Sequence, residues 1–141
     1  MFDTFPDPRL AHLAPRLHAG VVEFPVYHMR GGTSTGIVLW QRHLPAKPEL
    51  RDELIRHLMG VPLEGERSQN RQTTGLGRGP ATSNKVFIVD FSEDGKTLIS
   101  TLAQLAATKS AIDWSVNCGN MSAALPLYAL DTGLAQWGPE P

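Results

Sequence analysis

From Met121 to Gln136 the chain carries one charged side chain, Asp131, in a run otherwise dominated by alanine and leucine. A helix that is apolar on every side must be buried. This segment therefore dictates an architecture in which other elements wrap around it. Its expected span is Asn120 to about Leu134, as the most buried helix of the domain. Pro126 falls inside it and must kink the helix or force an irregular first turn.

The wrapping material is extended chain. Lys85 to Phe91 (KVFIVDF) is rich in β-branched and aromatic residues and reads as a strand. Asp94-Gly95 supplies a turn behind it, and Thr97 to Leu105 its hairpin partner. Val21 to Met29 also reads as a strand, bent or placed at an edge by Pro25. A tight glycine-rich turn, Arg30 to Gly36, leads into a short strand at Ile37 to Trp40. Ile112 to Val116 is a short strand or loop. Pro48 to Met59 is an amphipathic helix with Leu50, Leu54, Ile55 and Leu58 on its inner face, stopped by Gly60 and Pro62. Residues 63–84 form a long polar loop, of a length that in compact domains is uncommon and often accompanies function, and its Gly75–Lys85 part reads as mobile. The expected fold class is α+β.

Composition sets the outer limits. The 141 residues are 41% apolar and 19% charged, enough for one sizeable core and too apolar for global disorder. Thirteen Gly and eleven Pro signal many turns. A net charge of -1 gives no electrostatic case for nucleic acid or a membrane surface. No run approaches the ~18 apolar residues of a membrane helix. Met1 to Gly20 is polar and Pro-punctuated, an extension with at most a short helical turn and no signal-peptide core. The lone cysteine, Cys118, cannot staple the fold and suits a reducing, cytoplasmic setting.

Three motifs could carry chemistry. Met29-Arg30-Gly31-Gly32-Thr33-Ser34-Thr35-Gly36 offers backbone N–H groups, the Thr33 and Ser34 hydroxyls and a guanidinium able to pair with a carboxylate; it also reads as a plain hairpin turn. Gly75 to Lys85 (GLGRGPATSNK) invites a phosphate-loop reading, which fails. Asn84 and Val86 stand where Gly and Ser or Thr are needed around the lysine, and a strand follows rather than a helix. It delivers Lys85 to a strand start, either as a solvated edge lysine or as a functional amine. Asn117-Cys118-Gly119-Asn120 opens the apolar helix. A helix start offers unpaired N–H groups for a carboxylate or enolate oxygen and lowers a thiol's pKa. A small buried hydrophobe is the competing role for Cys118. His12, His18, His28, His43 and His57 show no metal spacing and read as surface or capping residues, so no metal is expected.

Together and in this order, the motifs resemble the PrpF family, the 2-methylaconitate isomerases and relatives such as 4-oxalomesaconate tautomerase. The resemblance is carried by MRGGTSTG at 29–36, GLGRGPATSNKVFIV at 75–89 and NCGNMSAALPLYAL at 117–130, and spans roughly residues 21–136. It implies half of a diaminopimelate-epimerase-like fold, a mixed sheet curled around a central apolar helix. Residues 21–141 would be the N-terminal PrpF-like domain behind an extension at 1–20. Family members are about two such domains long with the active site between them. The chain is thus expected to be truncated, inactive alone, and to need a second-half domain or a second copy.

The resemblance further implies cofactor-free isomerisation of an unsaturated di- or tricarboxylic acid of methylaconitate or oxalomesaconate type. Lys85 and Cys118 match the acid/base pair, and Gly119 and Asn120 the carboxylate-receiving helix start. Thr33, Ser34, Thr82 and Ser83 match secondary polar contacts, and Arg30 would bind a substrate carboxylate. Thr35 replaces the family's usual Lys, and Asn84 its usual Ser. The alternative function is a non-catalytic fragment or binding module of the same fold. If Lys85 and Cys118 act on one acid, they should lie within about 10 Å on one concave surface that Arg30 borders.

Overall fold

The computed structural model describes residues 8–10, 12–91, 98–114 and 124–132. The elements are β1 (Arg16–His18), β2 (Val21–Glu23), β3 (Tyr27–Gly31), β4 (Ser34–Trp40), α1 (Pro48–Met59), β5 (Lys85–Phe91), β6 (Leu98–Leu105), β7 (Ile112–Asp113) and α2 (Leu125–Thr132). Short 3-10 turns lie at Pro8–Leu10, Gln41–His43 and Ala81–Ser83. Among the described residues no helix is long and apolar enough to cross a membrane.

Strands β3 to β7 form one five-stranded sheet in chain order. It is mixed: β4 and β5 run parallel, with Gly36 opposite Lys85 and Trp40 opposite Val89, while the other neighbours are antiparallel. A parallel pair cannot be joined by a hairpin and needs a crossover. Here α1 and the loop after it provide one. The β5–β6 hairpin expected around Asp94-Gly95 is present as a strand pair, although the turn itself lies outside the described residues.

Strand alternation divides the core in two. Ile37, Leu39, Val86, Ile88, Ala103 and Leu105 point to one face and pack with Ile55 and Met59 of α1. Val38, Trp40, Phe87, Val89 and Leu102 point to the other and pack with Leu125 and Tyr128 of α2. Because both faces of β4 and β5 are covered, these strands read as continuous apolar runs.

Helix α1 has the bounds expected from sequence, with one change to its face. Leu50 is half exposed, and Met59 joins Ile55 as a buried anchor. The apolar segment near the C-terminus is also corrected. Leu125, Tyr128, Ala129 and Thr132 are buried, which is one stripe at helical spacing, while Pro126 and Leu127 are exposed. Within the described residues only one sheet face meets this helix, so one stripe is covered. Pro126 is the second helical residue, where its missing N–H is tolerated. Tyr27 ties β3 to this helix, its hydroxyl donating to the Asp131 carboxylate at 2.5 Å and its ring standing edge-on to Tyr128.

Three local expectations change. Residues 16–18, assigned to a tail with at most a helical turn, form β1 and pair with β2 in a separate hairpin. The 30–36 turn is tighter than expected, since β3 runs to Gly31 and β4 starts at Ser34. His43 is fully buried against Trp40 and Phe24 rather than at the surface.

Burial and the nearby Tyr27 push the Tyr128 phenol well above its ordinary pKa near 10. The folded state thus keeps a proton that the unfolded chain loses once pH passes that value. Stability should be unaffected below pH 10 and fall above it. Urea unfolding at pH 8 and 10.5 checks this: Tyr128→Phe should lose less stability over the interval than the unsubstituted chain.

Candidate active site

The glycine-rich turn is shaped by how closely β4 meets β5. A Cβ on Gly36 would lie 2.2 Å from the Lys85 carbonyl oxygen, so any larger residue would push the two strands apart. Beside it Ser34 is buried and Thr33 exposed. Arg30 is exposed and donates from Nε to the Gly32 carbonyl at 3.1 Å.

Lys85 is buried, with 9% of its surface accessible. It shares strand parity with Phe87 and therefore belongs to the α2 side of the sheet. Its Nζ donates to Oε1 of Gln104, its partner in register on β6. The Gln104 Nε2 faces the carbonyls of Ala81, Asn84 and Leu105 at 3.0, 3.2 and 3.0 Å. Only the amide nitrogen can face carbonyl oxygens, so Oε1 is left for the lysine.

The loop before Lys85 is tied down, not mobile as its composition suggested. Asn84 is fully buried; its Nδ2 donates to the carbonyls of Arg78 and Pro80, and its Oδ1 accepts from Gln72 Nε2 at 2.5 Å. Gln72 also donates to the Met59 carbonyl at 3.1 Å. The Leu76 and Gly77 N–H groups bond the Leu58 and Met59 carbonyls. These donors are spent on the C-terminus of α1, which gives a direct reason why the loop is no phosphate cradle. A Cβ on Gly77 would lie 2.2 Å from Gln72 Nε2 and 2.4 Å from Asn84 Oδ1.

Thr35 donates from its hydroxyl to Ser83 Oγ at 3.1 Å, joining the first motif to the second, while Thr82 is exposed. The motifs therefore meet at one end of the sheet. Arg30 does not share Lys85's face, contrary to expectation. It pairs with Thr35, one residue out of phase with Gly36 and Lys85, so alternation sends it to the α1 side. Cys118, Gly119 and Asn120 lie outside the described residues, and with them the Lys85–Cys118 separation. Among the described residues no group of three or more His, Cys, Asp or Glu could hold a metal. Two surface clefts of about 310 and 630 Å³ are lined by other residues, around Arg42 and Trp114 and around Arg56 and Asn70.

Gln104, Gln72 and the structural role of Asn84 were not anticipated. Gln104 had a signal. A hairpin centred on Asp94-Gly95 pairs residues equidistant from that turn, which sets Gln104 opposite Lys85. Gln72 had none, because its partners Met59 and Asn84 come from separate segments.

Residues 21–140 match the family model described as PrpF protein. The 3-methylitaconate isomerase of Eubacterium barkeri is 37% identical over 111 residues, covering 78% of this chain and 28% of that protein. The 4-oxalomesaconate tautomerase of Pseudomonas putida is 34% identical over 116 residues, covering 82% of this chain and 30% of that protein. The crystal structure of methylitaconate-delta-isomerase superimposes with a TM-score of 0.71 at 35% identity, covering 83% of this chain and 29% of that one. The chain thus spans less than a third of the length of these relatives.

The packing of the loop on α1 yields a paired prediction. Gly77→Ala should cost about 1–3 kcal/mol, because buried polar atoms must move. Gly79→Ala, with nothing within 4 Å of the added carbon, should stay within about 0.5 kcal/mol. Urea unfolding of both variants checks the difference, and equal losses would contradict it.

Proposed function

Because the chain belongs to the PrpF family, we propose that it is the first domain of a cofactor-independent isomerase. The reaction moves a double bond in an unsaturated di- or tricarboxylic acid. Relatives named for 3-methylitaconate and 4-oxalomesaconate support that substrate class. The observation that carries the reading is Lys85. At the family's motif position, the chain buries a lysine and fixes its amine through Gln104. A solvated edge lysine would have neither property.

The chemistry follows from the residue types. A proton next to a carboxylate is weakly acidic, and its removal places negative charge on the carboxylate oxygens. In this reading one of Lys85 and Cys118 takes that proton. The electron pair spreads over the allylic system, and the other group protonates the far carbon, so the double bond has moved. In this reading the backbone N–H groups of Gly119 and Asn120 stabilise the enolate oxygens. Thr33, Ser34, Thr82 and Ser83 hold the acid's polar groups, while Arg30, on the other face of the sheet, takes no part. A second-half domain or a second copy closes the opposite wall and excludes water.

The test is complementation. The purified chain is mixed with the second-half polypeptide of a PrpF protein. Methylaconitate-, methylitaconate- and oxalomesaconate-type acids are then followed by proton NMR in deuterium oxide. Turnover should be negligible for the chain alone and reach roughly 1–1000 s⁻¹ when complemented. Lys85→Ala and Cys118→Ala should each abolish it while leaving folding intact. Silence of the complemented pair, or full activity in both variants, would overturn the reading.

A further inference from the structure

The side chain that holds Lys85 lies outside all three sequence motifs. Gln104 sits on β6, and its amide nitrogen faces three backbone carbonyls, those of Ala81 and Asn84 from the segment that delivers the lysine and that of Leu105 next to it on β6. We infer that Gln104 is a positioning residue for the Lys85 amine, engaging one of its N–H bonds and leaving the lone pair directed elsewhere. The purpose of that arrangement rests on the isomerase reading. The contact itself does not.

The choice of an amide has a chemical consequence. An amide oxygen accepts a hydrogen bond from an amine or an ammonium alike and never carries a proton itself. The lysine can therefore gain and lose a proton without breaking its anchor. A carboxylate at position 104 would instead pair with the ammonium and hold it charged. The clamp also explains why the oxygen cannot swing away: rotating the amide would set an oxygen against three carbonyls.

Among the described residues Gln104 is the immediate partner of Lys85. Its row across the α2 face reads Met29, Gly36, Lys85, Gln104, Asp113. Asp113 on β7 stands two strand spacings from Lys85, ~10 Å between backbones. Among the described residues, the other titratable groups on elements packed against this face are Arg9, next to Leu10 in the N-terminal turn, and Tyr27 of β3 with Tyr128 and Asp131 of α2; the last three gather around one another. Ser83 at the adjoining turn is engaged by Thr35.

The experiment uses the full chain and reads Lys85 directly. Acylation of Lys85 by an N-hydroxysuccinimide ester is followed by peptide mass spectrometry against pH, since only the neutral amine reacts. Gln104→Glu should raise the midpoint by about one pH unit or more; an unchanged midpoint overturns the inference. Should that variant fail to fold, the unsubstituted chain still decides. The NMR signals of the Gln104 side-chain amide should titrate with the same midpoint as Lys85 acylation, and an amide blind to that titration overturns it. In the complemented enzyme, Gln104→Glu should lower kcat about tenfold at neutral pH. KM should change little, and activity should recover as pH rises. A wild-type kcat and pH profile would overturn the positioning role. An inactive complemented parent would count against the isomerase reading alone, while the acylation profile still judges the contact.

Discussion

The parallel pairing of β4 with β5 is the constraint on which the remainder of this domain rests. Its two strands are buried on both faces, and the pairing is possible because Gly36 lets the Lys85 carbonyl approach where a Cβ would collide with it. A parallel pair demands a long crossover, and the crossover brings α1 to one face and the polar loop back to the start of β5. Lys85 is the first residue after that return. Its position is thus a consequence of the topology and not of any local sequence preference.

The polar loop shows how a glycine-rich segment can serve packing while looking like a ligand cradle. Its N–H groups meet the last carbonyls of α1, and Gln72 Nε2 donates to Asn84 Oδ1 inside. Buried polar groups are tolerated when they are paired, and costly otherwise. Here the pairing joins the end of α1, the loop and the start of β5 into one unit. The lysine therefore emerges from a fixed frame, and its amine meets an amide that is itself fixed by the same backbone.

Much of the architecture could be read from pattern. The β-branched run at Lys85 to Phe91, the span of α1 from Pro48 to Met59, and the β5–β6 pairing follow from periodicity and turn chemistry. The motifs placed the chain among PrpF proteins, and the family model and superposition agree. Elements that depend on partners were harder. The β1–β2 hairpin has strands of three residues each, too short for alternation to stand out. His43 looked like a surface residue because nothing in its neighbourhood announces that Trp40 and Phe24 close over it.

The sequence by itself determined most of the strands and helices, that there is apolar material enough for a sizeable core, and which residue types are available for acid/base chemistry. Those properties are local: side-chain shape, apolar spacing and turn residues act within a few positions of one another. Tertiary structure decided which of them meet. It put Lys85 against Gln104 and Thr35 against Ser83, sent Arg30 to the opposite face, and gave Asn84 a structural role. A shift of one residue in register reverses the face of every side chain in a strand. That register comes from how the whole sheet packs, so motifs with the right residues can still point to different sides.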